Sequence, residues 1–170
     1  MSKIRVKKLL NSMDKTDIVS LILDMYDTKK EIKEFLEYYV NPNEKEQFEK
    51  YKRIIEKEYS LTALNSKARL SIAKKAISDF SKLSPSLELE AELMIFLVEC
   101  GCEYTYSFGD MSESFYISMA NNFERALKFM HKNNLLEKFR PNVDRCLKWA
   151  SHCGYGFEDD LNYVFDEYYL

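Results

Sequence analysis

Glycine and proline are scarce in this sequence, four and three among 170 residues, and tryptophan occurs once. A many-stranded β protein needs Gly, Pro and Asn at its reversals, because few other residues adopt the backbone angles of tight turns. Their scarcity argues against a sandwich or barrel and leaves helices joined by short loops. Long apolar runs are missing too. The longest, Leu93 to Val98, is far short of the roughly 20 residues that span a bilayer. No uninterrupted apolar stretch follows the basic start MSKIRVKKLLNSM, so no secretory signal is expected. The expectation is a cytoplasmic chain with no membrane association, in which Cys100, Cys102, Cys146 and Cys153 remain thiols.

Catalytic and cofactor signatures are also lacking. There is no G-x-S-x-G, no P-loop and no G-x-G-x-x-G. A di-iron bundle needs Glu-x-x-His on two helices, but position 128 is Lys before His131 and position 149 is Trp before His152. Structural zinc sites set thiols at C-x2-4-C spacing so that two sulfurs converge on one ion. Cys100 and Cys102 on a helix diverge by roughly 200°, and His152 and Cys153 are adjacent. No metal, no cofactor and no catalytic residue is therefore expected.

Aromatics are abundant, with twelve Tyr and eleven Phe, and 46% of residues are hydrophobic. A chain of this length buries about 70% of its unfolded surface, which predicts a single ordered domain over residues 1–170. Charge is uneven. The first 83 residues carry a net +5 and the remainder a net −8, two halves that can attract each other or present a basic face to an acidic partner.

Helical periodicity runs through the chain. Ile18, Leu21, Ile22, Met25 and Tyr26 follow the i, i+3, i+4, i+7, i+8 template, and Ile32, Phe35, Leu36, Tyr39 and Val40 repeat it. Asp14 is placed to cap the first helix, and Thr28 with Glu31 to form a capping box for the second. Asn41-Pro42-Asn43 ends that pair. A charged helix from Glu44 to Tyr59 buries Phe48, Tyr51, Ile55 and Tyr59, a connector covers Ser60 to Ser66, and a further helix runs from Lys67 to Leu83. Ser84-Pro85 is expected to open the next helix, whose LMIFLV segment is apolar nearly all round and therefore central. Beyond Gly109 come a long helix through Phe115, Met119, Phe123 and Met130, a shorter one opened by Pro141, and a last one through Phe157, Leu161 and Val164. The fold class expected is all-α, about eight helices as antiparallel hairpins in a globular bundle or a short irregular array.

The stretch CGCEYTYSFGD alternates like a strand, but no other segment alternates to pair with it. It reads instead as the last turns of the central helix, interrupted at Gly101 where a neighbour crosses closely and stopped at Gly109, with Asp110 and Glu113 capping the next helix.

Two charged faces stand out. Lys67, Ser71, Lys74, Lys75, Ser78 and Lys82 fall within about a 100° sector that holds no acidic residue, a face suited to an anion or phosphate. Glu99 and Glu103 flank the apolar segment, and with Asp110 they form the candidate acidic cluster; a structural salt bridge from Arg125 or Arg145 is the plainer account of a buried Glu99. Lys3, Arg5, Lys7 and Lys8 add a basic N-terminus.

KKLLNSMDKTDIVSLILDMYD, KKAISDFSKL, ELEAELMIFLVECGCEYTYSFGDMSESFYISM and HCGYGFEDDL together resemble an uncharacterised family of all-helical bacterial proteins defined as a domain of unknown function. Its recognisable segments are the Phe108-Gly109-Asp110 and Gly154-Tyr155-Gly156-Phe157 turns. The resemblance implies a helical fold and a bacterial cytosol and supplies no mechanism. The function expected is a non-catalytic interaction module with an unidentified protein partner. The second reading is a nucleic-acid or phosphate-ligand binder using Lys67, Lys74, Lys75, Lys82 and the basic N-terminus.

Overall fold

The protein is all-α. The computed structural model describes residues 2–59 and 69–170, and among these there are nine helices and no strand. The expected connector from Ser60 to Ser66 and the start of a helix at Lys67 lie outside the described residues. The chain divides into two compact units, Met1–Asn43 and Glu44–Leu170.

The first unit holds α1 (Lys3–Ser12), α2 (Lys15–Thr28) and α3 (Lys30–Val40), with α2 packed on α3. Asp14 caps α2 as expected, its carboxylate accepting from the Asp17 amide at 2.8 Å. The capping box at Thr28 does not form. Thr28 is the last residue of α2, and its hydroxyl donates back to the Asp24 carbonyl at 2.7 Å, leaving Lys29 as an unassisted N-cap for α3. None of these three helices carries a buried residue.

The second unit holds α4 (Glu44–Tyr59), α5 (Leu70–Ser81), α6 (Leu87–Phe108), α7 (Glu113–Lys132), α8 (Leu136–Ala150) and α9 (Phe157–Tyr169). Its centre is α6, which packs against α4, α5, α7 and α8, while α9 lies on α7 and α8. Leu93, Ile95, Leu97 and Val98 of LMIFLV are fully buried, each worth roughly 1.5–3 kcal/mol of transfer free energy. Around them stand Phe80 against Phe48 and Tyr51, Met119, Phe123 and Leu127 of α7, Val143 of α8 and Leu161 of α9. Gly101 is where α7 crosses: a Cβ there would lie 2.5 Å from the Met119 sulfur.

Helix starts depart from expectation at three places. Ser84 has a positive φ of 55° and Pro85 precedes α6 instead of opening it; Ser86 is the N-cap, and its amide is met at 3.1 Å by the Glu44 carboxylate, a negative group at the positive end of the helix. Pro141 does not open α8 but lies within it, on the wet side opposite buried Phe139, Val143 and Cys146. Asp110 does not cap α7 either, whose N-cap is Ser112.

An ion pair and a hydroxyl–carbonyl hydrogen bond fasten the unit. Arg69 presents its guanidinium fork to both oxygens of Glu58 at 2.9 and 3.0 Å, joining the start of α5 to the end of α4. The C-terminal turn is docked by Tyr169, whose hydroxyl donates to the Leu136 carbonyl at 2.9 Å, while Leu170 is exposed.

Candidate functional site

The three candidate carboxylates have separate commitments. Glu99 is buried on α6, and both Nε and Nη2 of Arg145 on α8 reach its Oε1, at 2.9 and 2.6 Å. Burial raises the Glu99 pKa, and the opposing pull of Arg145 and of a hydrogen bond from Asn142 does not overcome it. Glu103, one turn along, is exposed. Asp110 accepts from the Gly154 amide at 2.8 Å and from the Tyr116 hydroxyl at 2.9 Å, and these hydrogen bonds hold its pKa below the usual carboxylate range. The Tyr116 oxygen in turn accepts from the Met111 amide at 3.2 Å. Asp110 therefore fastens the α6–α7 turn to the α8–α9 turn.

The four cysteines are free thiols. Burial drives the Cys100 and Cys146 thiols up, and raises Cys153 although its sulfur lies 2.6 Å from the Thr105 hydroxyl. Among the described residues no three His, Cys, Asp or Glu side chains converge as a metal would require. His131 and His152 lie against the rings of Tyr168 and Tyr106.

The lysine face is divided by Asp79, at the edge of the sector traced from the sequence. Its carboxylate takes Lys75 at 2.5 Å and Lys82 at 2.7 Å, and the two ammonium groups lower its pKa. Lys67 lies outside the described residues. Lys74 turns the other way, into a groove of about 500 Å³ whose walls are α5 and α7 and whose floor is α6. Facing Lys74 across it are Arg125, Lys128 and Lys132 of α7. Among the described residues none of these four cations has a carboxylate within 4.0 Å. Ile77, Met94 and Phe129 line the groove between the charges, with Asn122 and one carboxylate, Glu90.

Lys128 and Lys132 did not stand out in the sequence, and Arg125 did so only as a candidate partner of Glu99, a place that Arg145 takes, although the i, i+3, i+7 spacing puts all three on one side of α7 over about 10 Å. What the sequence does not give is that this side of α7 meets Lys74. Gly101 against Met119 fixes the antiparallel register of α6 and α7 and so brings Met94 level with Arg125, with Glu90 one turn further toward Lys132.

Fold and groove together define the class: an all-helical protein with a basic cleft between α5, α6 and α7, in which Glu99 and Asp110 are engaged in structure. The chain belongs to the family of unknown function DUF6155, whose family model matches residues 1–169. No curated protein and no solved structure matches it. Among the described residues no helix is long and apolar enough to cross a membrane.

Proposed function

We propose that this chain is a non-catalytic helical binding module of the bacterial cytosol that holds an anionic ligand in the α5–α6–α7 groove. The observation that carries the reading is the contrast between neighbouring lysines: Lys75 and Lys82 are both paired with Asp79, whereas Lys74, Arg125, Lys128 and Lys132 line one cleft against a single carboxylate. Like charges held around a cleft repel one another and attract a counter-ion, and field lines focus between low-dielectric walls. The non-catalytic part of the reading is supported by the engagement of Glu99 with Arg145 and of Asp110 with Gly154.

Thermal melts with and without millimolar pyrophosphate test it. A ligand at 100 times its Kd adds about 2.7 kcal/mol, a rise of several degrees. The rise is expected in the parent and in Lys75→Gln/Lys82→Gln, and is lost in Lys74→Gln/Arg125→Gln. Equal melts in the parent with and without the anion would refute the reading.

A second reading, docking to a protein partner, has its own observation in the first unit. Val19, Ile22, Leu23 and Phe35 of α2 and α3 are 41–55% exposed. In-cell cross-linking of the parent and of Ile22→Glu/Phe35→Glu checks it, with cross-links expected to disappear in the variant; unchanged cross-links would remove this reading.

A further inference from the structure

Resting on the anion-groove reading, we infer that the ligand is a small organic phosphate of the mononucleotide class, with one or two phosphoryl groups and a flat body that carries an N–H or O–H donor. Size is the first argument. About 500 Å³ lies within the range of roughly 300–1,000 Å³ that small molecules occupy. A duplex would only lie across the rim of such a cleft, and the surrounding chain from residue 84 onward is acidic, which opposes a long polyanion wherever it leaves the groove.

Charge arrangement is the second argument. Lys74 and Arg125 come from opposite walls, and Arg125 brings the planar fork that matches phosphoryl oxygens. Lys128 and Lys132 continue the same wall, so the cations spread over about 10 Å of α7, more than one carboxylate needs and enough for two linked phosphoryl groups.

The rest of the lining separates an organic phosphate from a bare anion. Ile77, Met94 and Phe129 offer inorganic phosphate nothing, but they can cover an apolar or aromatic ring, since a base stacks favourably on an aromatic side chain. Glu90 repels a bare anion, yet a carboxylate one turn from the Met94–Arg125 level is placed to accept from a base amino group or a sugar hydroxyl. The groove thus has one level where Lys74 and Arg125 face each other across it, and one turn further on Glu90 stands as an acceptor beside Lys128 and Lys132.

Calorimetric titration of the full chain with pyrophosphate, ADP, GDP, UDP, adenosine and a single-stranded oligonucleotide, at low and moderate salt, tests the inference. At least one of the three nucleotides is expected to bind about ten-fold or more tightly than pyrophosphate. Lys74→Gln/Arg125→Gln weakens nucleotide and pyrophosphate alike. Phe129→Leu and Glu90→Gln weaken only the nucleotide, and Lys75→Gln/Lys82→Gln changes neither. These positions are at the surface or half-buried, and circular dichroism with thermal melts confirms that each variant is folded. If pyrophosphate binds as tightly as every nucleotide, the nucleotide assignment falls while the anion groove stands. If no anion binds the parent, both fall. An oligonucleotide that binds more tightly than any mononucleotide and ignores the groove substitutions also overturns the inference.

Discussion

Asp110 and Gly154, 44 residues apart in sequence, are joined by a 2.8 Å hydrogen bond in which the Gly154 amide donates to Oδ1 of the carboxylate. The contact leaves no room for a side chain at 154, since a Cβ there would lie 2.9 Å from the carboxylate. The Phe108-Gly109-Asp110 turn and the turn that begins at Gly154 are thus two halves of one fastening. The tight fit and the charged hydrogen bond together predict a specific pattern of substitution effects. Gly154→Ala lowers the melting temperature by a few degrees, because the carboxylate must move and the bond is lost. In an Asp110→Ala background the same substitution has little further effect, as there is neither a bond to lose nor an oxygen to strike. Additive effects of the two substitutions in a double-mutant cycle would contradict this account.

The same carboxylate carries a pH dependence. Hydrogen bonds to Asp110 lower its folded pKa below the unfolded value of about 4. Its contribution is therefore complete above that unfolded value and is lost as pH falls through the lower folded one. Melting temperatures of the parent and of Asp110→Asn should differ at pH 6–7 and draw together in acid. A gap that persists unchanged to pH 2 would show that ionisation of Asp110 is irrelevant to the corner.

Glu99 has the opposite slope. Burial raises its folded pKa, so the protonated form is favoured in the folded state, and stability falls as pH climbs from the unfolded value of about 4.3 through the raised one. Glu99→Gln should remove that part of the slope. Arg145→Met leaves a buried carboxylate without its cation and is expected to cost about 2–3 kcal/mol, at the low end for a broken pair because Arg145 is half-exposed. Adding Glu99→Gln to Arg145→Met should restore most of the loss in urea titrations, since no charge is then stranded. A double variant less stable than Arg145→Met alone would exclude an uncompensated Glu99 charge as the cause.

What was legible in the sequence follows from which physics is local. The stripe of Phe48, Tyr51, Ile55 and Tyr59 on α4 was readable because periodicity alone places those residues on one side, and all four are buried. Helix starts were less legible. A threonine hydroxyl caps the next helix or bonds back into its own with similar chemistry, and Thr28 does the latter. Pro141 marks a helix start only if its missing amide is more costly inside, and on a wet face it is tolerated. Lys74 was readable as part of a basic face. Its separation from Lys75 and Lys82 was not, because it depends on Asp79 reaching both neighbours and on α7, some fifty residues away, supplying the opposite wall.

Gly101 tests the close approach of α6 and α7. In an open helix, alanine in place of glycine would add about 1 kcal/mol of stability. Here the new methyl meets the Met119 sulfur at 2.5 Å, and because Met119 is fully buried its thioether has to shift within the packed core. Overpacking of this kind costs roughly 1–3 kcal/mol, so Gly101→Ala should be destabilising. Met119→Val shortens the side chain in the way and should make Gly101→Ala less harmful in that background than in the parent. Stabilisation by Gly101→Ala alone would mean that the helices separate more easily than the packing implies.

Tyr59 offers the reverse case, a substitution expected to help. Its ring is buried at the end of α4, edge-on to Tyr104 at 5.9 Å, and burial pushes its phenol pKa up. Among the described residues its hydroxyl has no hydrogen-bond partner. A buried donor left unpaired carries the desolvation penalty of its group, about 1–3 kcal/mol, with nothing returned. Tyr59→Phe keeps the ring and its edge contact while deleting the unpaired oxygen, so stability in urea should rise by about 1 kcal/mol, the remainder being offset by the small gap the oxygen leaves. A loss of stability would mean that the hydroxyl does have a partner, and that the end of α4 is held by a polar contact as well as by packing.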